Sequence, residues 1–236
     1  PQEFCIEHPL LGAEAIWVLN WNIMARALCR RKTPGSKPAE APEQEISNNG
    51  LDKDETVEEY LRRLQSKVVP VLESWLLHQF RNRRQQKWVI CLQEAPGHPL
   101  LRRDLLRRLE ASGPCAETGT SPMSLQSAEQ AVSAFACTIS LWNAADWELK
   151  HCAHAGEHAL CTVLAGKEEQ PLLRVLNCHV PLGGSVTGQS PLEHALHLLH
   201  ESPAQHLALV VGDLKLDFGD EGVRDSVVSG YLQSGM

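Results

Sequence analysis

The sequence predicts an α/β sandwich of mixed β-sheets flanked by helices. Short apolar runs alternate with helix-patterned segments in the first half, strand-like runs follow one another across short polar turns in the middle, and several runs end on polar groups. Strands separated by helices favour parallel pairing and hairpin-linked strands antiparallel pairing, so the mixture points to mixed sheets covered by helices rather than to a purely doubly wound sheet.

Residues 15–23 (AIWVLNWNI) are β-branched and aromatic-rich and read as a buried strand ending in polar groups. Residues 30–56 carry Pro34, Pro38, Pro42, Gly35 and Gly50 among charges, which predicts a flexible loop insertion. Asp54, Glu55 and Thr56 place carboxylates and a hydroxyl at a helix start. Val57, Tyr60, Leu61, Leu64, Val68, Val71, Leu72, Trp75 and Leu76 then recur at helical spacing. Pro70 lacks the N–H that a helix interior needs and is expected to kink or divide this helix.

Residues 88–92 (WVICL) form a second buried strand, with Gln93 and Glu94 at its carboxyl end. A short helix over residues 99–109 carries Arg102, Arg103, Arg107 and Arg108 on its polar side. Residues 134–142, 147–152, 158–164 and 172–179 read as strands of a meander, residues 189–201 as a helix, and residues 207–211 as a last buried strand terminated by Gly212 and Asp213. No internal repeat points to a solenoid.

A chain of 236 residues favours one domain, residues 1–236. With 43% apolar and 22% charged residues, and no apolar run near eighteen, it reads as globular with no membrane span. No segment resembles a signal peptide. Eight cysteines lie scattered without C-x-x-C pairs, several inside apolar runs, which predicts reduced thiols in a cytoplasmic protein. A formal charge of −7 argues against a protein that simply coats nucleic acid, but leaves room for an enzyme with a local basic lip. A monomer is expected.

The polar strand ends are Asn22, Glu94, Asn177 with His179, and Asp213. Such groups converge at one rim of a sheet, where α/β proteins place their ligands. A carboxylate and an amide oxygen suit a hard cation such as Mg²⁺ or Mn²⁺, which makes Glu94 and Asn22 the candidate metal ligands, Glu94 the better of the two. Hydrolysis of a phosphodiester also needs a group to activate water, a role for Asp213, and a donor for the developing charge, a role for His179. Singly, each has a plainer use: a carboxylate at a turn, an amide satisfying backbone, a surface imidazole. Their joint occurrence, in this order, carries the functional reading.

In sequence, Leu19-Asn20-Trp21-Asn22-Ile23 resembles the W-N motif that ends the first core strand of the endonuclease/exonuclease/phosphatase (DNase I-like) superfamily. Cys91-Leu92-Gln93-Glu94 resembles its L-Q-E motif, Leu176-Asn177-Cys178-His179-Val180-Pro181-Leu182 its N-x-H-L strand, and Val210-Val211-Gly212-Asp213 the start of G-D-x-N. Residues 136–141 followed by Asp146-Trp147-Glu148-Leu149 look like the hairpin placed before the His strand.

The resemblance runs from about Ala15 to Asp213 and implies a DNase I-like α/β sandwich with Mg²⁺ or Mn²⁺ on Glu94. It places Asn22 beside metal-bound water or phosphate, His179 on the transition state with Asn177 close by, and Asp213 on the attacking water. It implies a phosphodiesterase acting on nucleic acid, nuclease- or deadenylase-like, with two alternatives: a phosphatase of phosphoinositides or other head groups, and a catalytically impaired binding module.

Two positions depart from the pattern. Lys215 stands where G-D-x-N has Asn; it can contact phosphate as a point charge but offers no acceptor. The final S-D-H motif has no counterpart after Asp213, so a last core strand is expected to be missing and the chain is expected to continue past Met236.

His151, His154 and His158, and likewise His194, His197 and His200, lack the spacing that aims rings at one metal and read as surface or packing groups. The arginines of residues 81–87 and 102–108 read first as solvated helix faces and second as a grip on a phosphate backbone. The glycines after the His strand, Gly183 and Gly184, permit either a close approach to substrate or an ordinary turn.

Overall fold

A computed structural model of the chain describes residues 1–7, 11, 15–23, 57–82, 87–111, 124–131, 136–155, 159–166, 172–179 and 206–213. The predicted loop at 30–56, the predicted helix at 189–201, the glycines at 183 and 184, Lys215 and His158 all lie outside them.

The strands are β1 (Gln2–Glu7), β2 (Ala15–Asn22), β3 (Lys87–Pro96), β4 (Leu125–Ala131), β5 (Ala136–Asn143), β6 (Trp147–Ala155), β7 (Ala159–Gly166), β8 (Leu172–His179) and β9 (His206–Asp213). One sheet has the order β1-β2-β3-β5-β4 and the other β6-β7-β8-β9. Each contains one parallel pair, β2 with β3 and β8 with β9, and is otherwise antiparallel. The architecture is the α/β sandwich of mixed sheets that the strand pattern predicts.

Period-two alternation explains the layers. On β2, Ile16 and Val18 face the second sheet, and on β3 Val89 and Cys91 do the same; they pack with Trp142, Trp147, Leu160, Leu164, Leu173, Val175 and Val211. The alternate residues Leu19, Ile23, Trp88, Ile90 and Leu92 face the helices instead. Because β2 and β3 are covered on both faces, they read in sequence as continuous apolar runs rather than alternating ones.

The helical layer is α1 (Val57–Arg63), a π-helical turn over Leu64–Val68, α2 (Val69–Asn82) and, further along the chain, α3 (Pro99–Ala111). Pro70 lies one residue into α2, and the helix runs through it without a break, changing pitch in the turn before it. The hydrogen-bonding pattern widens just before it, and the Val69 N–H bonds to the Leu64 carbonyl, five residues back. Leu72, Trp75 and Leu76 of α2 and Leu105 and Leu109 of α3 cover the first sheet, with Trp75 and Trp88 edge to face at 6.0 Å.

Three sequence expectations are corrected. β1 and β4 were not anticipated: QEFCIE alternates only weakly, and LQSAEQA is built from helix-favouring and polar residues. Both are edge strands with one pairing partner, where less apolar surface needs hiding. Residues 134–142 and 147–152 are not successive strands of one meander, nor a hairpin. β5 has β3 and β4 on its two sides, so the chain turns at residues 144–146 into the other sheet. The turn is held by Asn143, whose Oδ1 accepts from the Ala145 N–H at 3.1 Å and whose Nδ2 donates to Asp146 Oδ2 at 3.0 Å. Finally, Gln93 and Glu94 lie inside β3, which continues to Pro96.

Candidate active site

Parallel strands leave their carboxyl ends side by side. The register pairs Asn22 with Gln93 across β2 and β3, and His179 with Asp213 across β8 and β9. Alternation sends Asn20 and Asn22 of β2, Asn177 and His179 of β8, and Asp213 of β9 toward the space between the sheets, in line with Ile16, Val18, Val175 and Val211 further down. Apolar side chains fill that space at one end of the strands and polar ones at the other.

Glu94 breaks the alternation. An undisturbed β3 would put it with Ile90 and Leu92 on the helix-facing side. The ladder to β5 slips between Leu92 and Ala95, so that Gln93 and Glu94 together oppose one residue, Thr138. Glu94 has φ +52°, the only non-glycine residue with positive φ among the described residues. A bulge of this kind turns two consecutive side chains to one face, and both Gln93 and Glu94 meet groups between the sheets. Holding an L-residue in the left-handed region costs about 1–2 kcal/mol, which the surrounding ladder must sustain.

The four rim groups form one hydrogen-bonded chain. Asn22 Nδ2 donates to Asp213 Oδ2 at 2.7 Å and to Glu94 Oε1 at 3.0 Å. His179 Nε2 stands 3.0 Å from the same Glu94 Oε1. Against an ionised carboxylate, which only accepts, Nε2 must carry the proton. His179 Nδ1 is buried and meets no hydrogen-bond partner among the described residues. Glu94 and His179 are 5% and 8% exposed, so these bonds lie in a medium where charge is weakly screened.

Glu94, His179 and Asp213 each offer one ligand atom, and these lie within 4.8 Å of one another. Two carboxylates converging on one amide suit a divalent cation that takes oxygen ligands, and the neighbouring imidazole offers one nitrogen. Asn22 turns its nitrogen toward both carboxylates. It would ligate a cation directly only with its amide reversed.

Asn177 is fully buried one layer deeper, where its Oδ1 accepts from Gln93 Nε2 at 2.7 Å and its Nδ2 donates to the Ile139 carbonyl at 2.9 Å. That is a place for a group that positions others. Two further residues of this layer, Asn20 and Gln93, were missed as candidates. Strand parity could have found them, since Asn20 shares a face with Asn22, and Gln93 with Val89 and Cys91. A cleft of about 290 Å³ lies beside the rim, lined by Pro1, Gln2, Asn20, Trp21, Asn22, Gln93, Gly212 and Asp213.

Gly212 sits between the layers with φ +143°, and a Cβ there would fall 1.9 Å from the Cys178 carbonyl oxygen. Only glycine lets β8 and β9 pair this closely beside Asp213.

On α3, Arg103, Arg107 and Arg108 are exposed, as the solvated face read from the sequence, whereas Arg102 is tied into the protein. Arg102 Nη1 donates to the carbonyls of Gly97 at 2.8 Å and Pro96 at 3.3 Å and pairs with Glu129 of β4. Arg108 pairs with Asp104 one turn away. His151 and His154 are exposed on β6. Cys5, Cys91, Cys137, Cys152, Cys161 and Cys178 are free thiols. Burial pushes the Cys91 thiol well above its usual range, that of Cys178 up to about 12 and that of Cys137 up to about 11, so none of these three serves as a nucleophile. No helix among the described residues is long and apolar enough to cross a membrane.

No family model and no curated protein sequence matches the chain. Among solved structures it is similar to a functionally unknown conserved protein from Enterococcus faecalis V583, at 18% identity over 72% of this chain and 67% of that one, with a TM-score of 0.46. It is similar to the human Nocturnin catalytic domain with bound sulfate anion, at 17% identity over 68% of this chain and 63% of that one, with a TM-score of 0.40. A third similar structure is ANGEL2, a 2',3'-cyclic phosphatase, in complex with adenosine-2',3'-vanadate, at 13% identity, 66% and 46% coverage and a TM-score of 0.38. The chain thus spans under two thirds of the length of the latter two.

Proposed function

We propose that the chain carries the site of a Mg²⁺- or Mn²⁺-dependent phosphodiesterase acting on nucleic acid. The supporting observation is the convergence of Asn22, Glu94, His179 and Asp213, from the ends of two parallel strand pairs in different sheets, into one hydrogen-bonded chain. These four positions also carry the motif resemblance in the sequence.

Glu94 and Asp213 would hold the cation, which when bound supplies positive charge to the non-bridging oxygens of a phosphoryl group. The chain's own groups do the rest. Asp213 accepts the proton of the attacking water and aims it. His179 shifts its Nε2–H from Glu94 Oε1 to donate where negative charge builds, and Asn22 fixes the two carboxylates relative to each other by sharing one amide between them.

Turnover of oligo(A), single-stranded DNA and inositol phosphates, each with Mg²⁺ and with Mn²⁺, tests this reading. Cleavage of an oligonucleotide, abolished by chelator and reduced at least about 100-fold in Glu94→Ala and in His179→Ala, is the expected result. Turnover of inositol phosphates alone would move the substrate to head groups. Binding of Mn²⁺ without turnover of any phosphoester would make the chain an impaired module.

A further inference from the structure

Beneath the charged rim lies a second chain of side chains made only of amides. Asn20 Nδ2 donates to the Gly212 carbonyl at 3.3 Å, and Asn20 Oδ1 accepts from Gln93 Nε2 at 2.8 Å. The same nitrogen donates to Asn177 Oδ1 at 2.7 Å, and Asn177 Nδ2 donates to the Ile139 carbonyl at 2.9 Å. This ladder crosses β9, β2, β3, β8 and β5, and so joins the two sheets one step below the rim. Gln93 and Asn177 are both 0% exposed.

Its direction is fixed. Reversing the Gln93 amide would set Oε1 against three acceptors, Asn20 Oδ1, Asn177 Oδ1 and the Cys91 carbonyl. Gln93 Oε1 in turn meets no donor among the described residues, so the nitrogen side alone determines how the side chain sits. Apolar residues would fill this space at less desolvation cost, whereas these amide bonds tie the two sheets together at one register.

Each end of the ladder lies next to a rim group. Gly212 precedes Asp213, and Asn177 is two residues from His179 on the same face of β8. Gln93 precedes Glu94 within the bulge. We propose that Gln93 is a positioning residue: its amide nitrogen, by holding Asn20 and Asn177 at once, sets where Asp213 and His179 stand relative to Glu94. The metal-binding part of this inference rests on the function proposed above; the geometric part does not.

Two kinds of measurement test it. In the unaltered, metal-free chain, the Gln93 side-chain NH₂ should exchange with solvent at least about 100-fold more slowly than an exposed glutamine; exchange at the exposed rate overturns the proposal whether or not any variant folds. Gln93→Met keeps the length and removes the donors, whereas Asn20→Leu cuts only the arm toward Asp213. Both should weaken Mn²⁺ binding, Gln93→Met by about 10–100-fold. Gln93→Met, which frees Asn177 beside His179, should shift the imidazole ¹⁵N resonances of His179 in the metal-free protein more than Asn20→Leu, which reaches them only through Asp213 and Asn22. Unchanged Mn²⁺ affinity in both variants, or equal His179 shifts in both, refutes the ladder as a positioning device. Failure of the unaltered chain to bind Mn²⁺ would remove the proposed function instead, and the His179 resonances would still decide the geometry.

Discussion

Gly212→Ala is the sharpest structural test, because the obstruction is backbone. The added Cβ would lie 1.9, 2.7 and 2.8 Å from the carbonyl oxygen, carbonyl carbon and nitrogen of Cys178. Real Cβ contacts stay beyond 3.0 Å, so β8 and β9 would have to part by about an ångström at this register. The φ of +143° is itself hostile to an L-residue and costs about 1–3 kcal/mol to hold. Separation also weakens two or so ladder hydrogen bonds and the Asn20 bond to the Gly212 carbonyl, each about 1 kcal/mol. The sum is about 4–6 kcal/mol, large against the 5–15 kcal/mol that folds a typical domain. Urea denaturation followed by tryptophan fluorescence would measure it. A loss under about 1 kcal/mol would refute the close pairing of β8 with β9 and, with it, the approach of Asp213 to His179.

Further outcomes follow from other features. Glu94→Gly should be more stable than Glu94→Ala by about 1 kcal/mol, the reverse of the order at an ordinary strand position, because only glycine is relaxed at φ +52°; thermal melts of the two variants give the sign. Arg102→Met should cost about 1–3 kcal/mol by stranding the Pro96 and Gly97 carbonyls and Glu129, and a loss indistinguishable from zero would return Arg102 to the solvated face read from the sequence. The raised thiols of Cys137 and Cys178 make stability fall with rising pH. The unfolded thiol, with an ordinary value of 9.0, releases its proton while the folded one keeps it to about 11 or 12. Their contribution is therefore whole below pH 9 and is lost above it, at about 1 kcal/mol per thiol by pH 10. Denaturation at pH 8 and pH 10 should show a smaller drop in Cys178→Ala than in the unaltered chain, and equal drops would count against burial of that thiol.

What the sequence made legible and what it hid divide along physical lines. Buried central strands announce themselves, because both faces of β2, β3, β5, β7 and β8 must be apolar, and all of these were read within a few residues. Edge strands divide: β6 and β9 carry strand patterns that the sequence shows, whereas β1 and β4 have one neighbour each and no composition that distinguishes them from loop or helix. The pairing of β5 was hidden for another reason, since a tight turn between two strands is compatible with a hairpin or with a change of sheet, and only the occupancy of β5's two edges decides. At the rim, residue types at strand ends selected Asn22, Glu94, His179 with Asn177, and Asp213. Strict alternation, however, would have sent Glu94 to the helix-facing side. It reaches the others only through a one-residue bulge and a positive φ. That cost has a use. Gln93 already faces the second sheet by parity with Val89 and Cys91, and the bulge turns Glu94 to the same face, so the carboxylate of the rim stands beside the amide that ties the rim to the second sheet. Removing the bulge would separate the two layers, which is why the site depends on a local strain that no strand pattern displays.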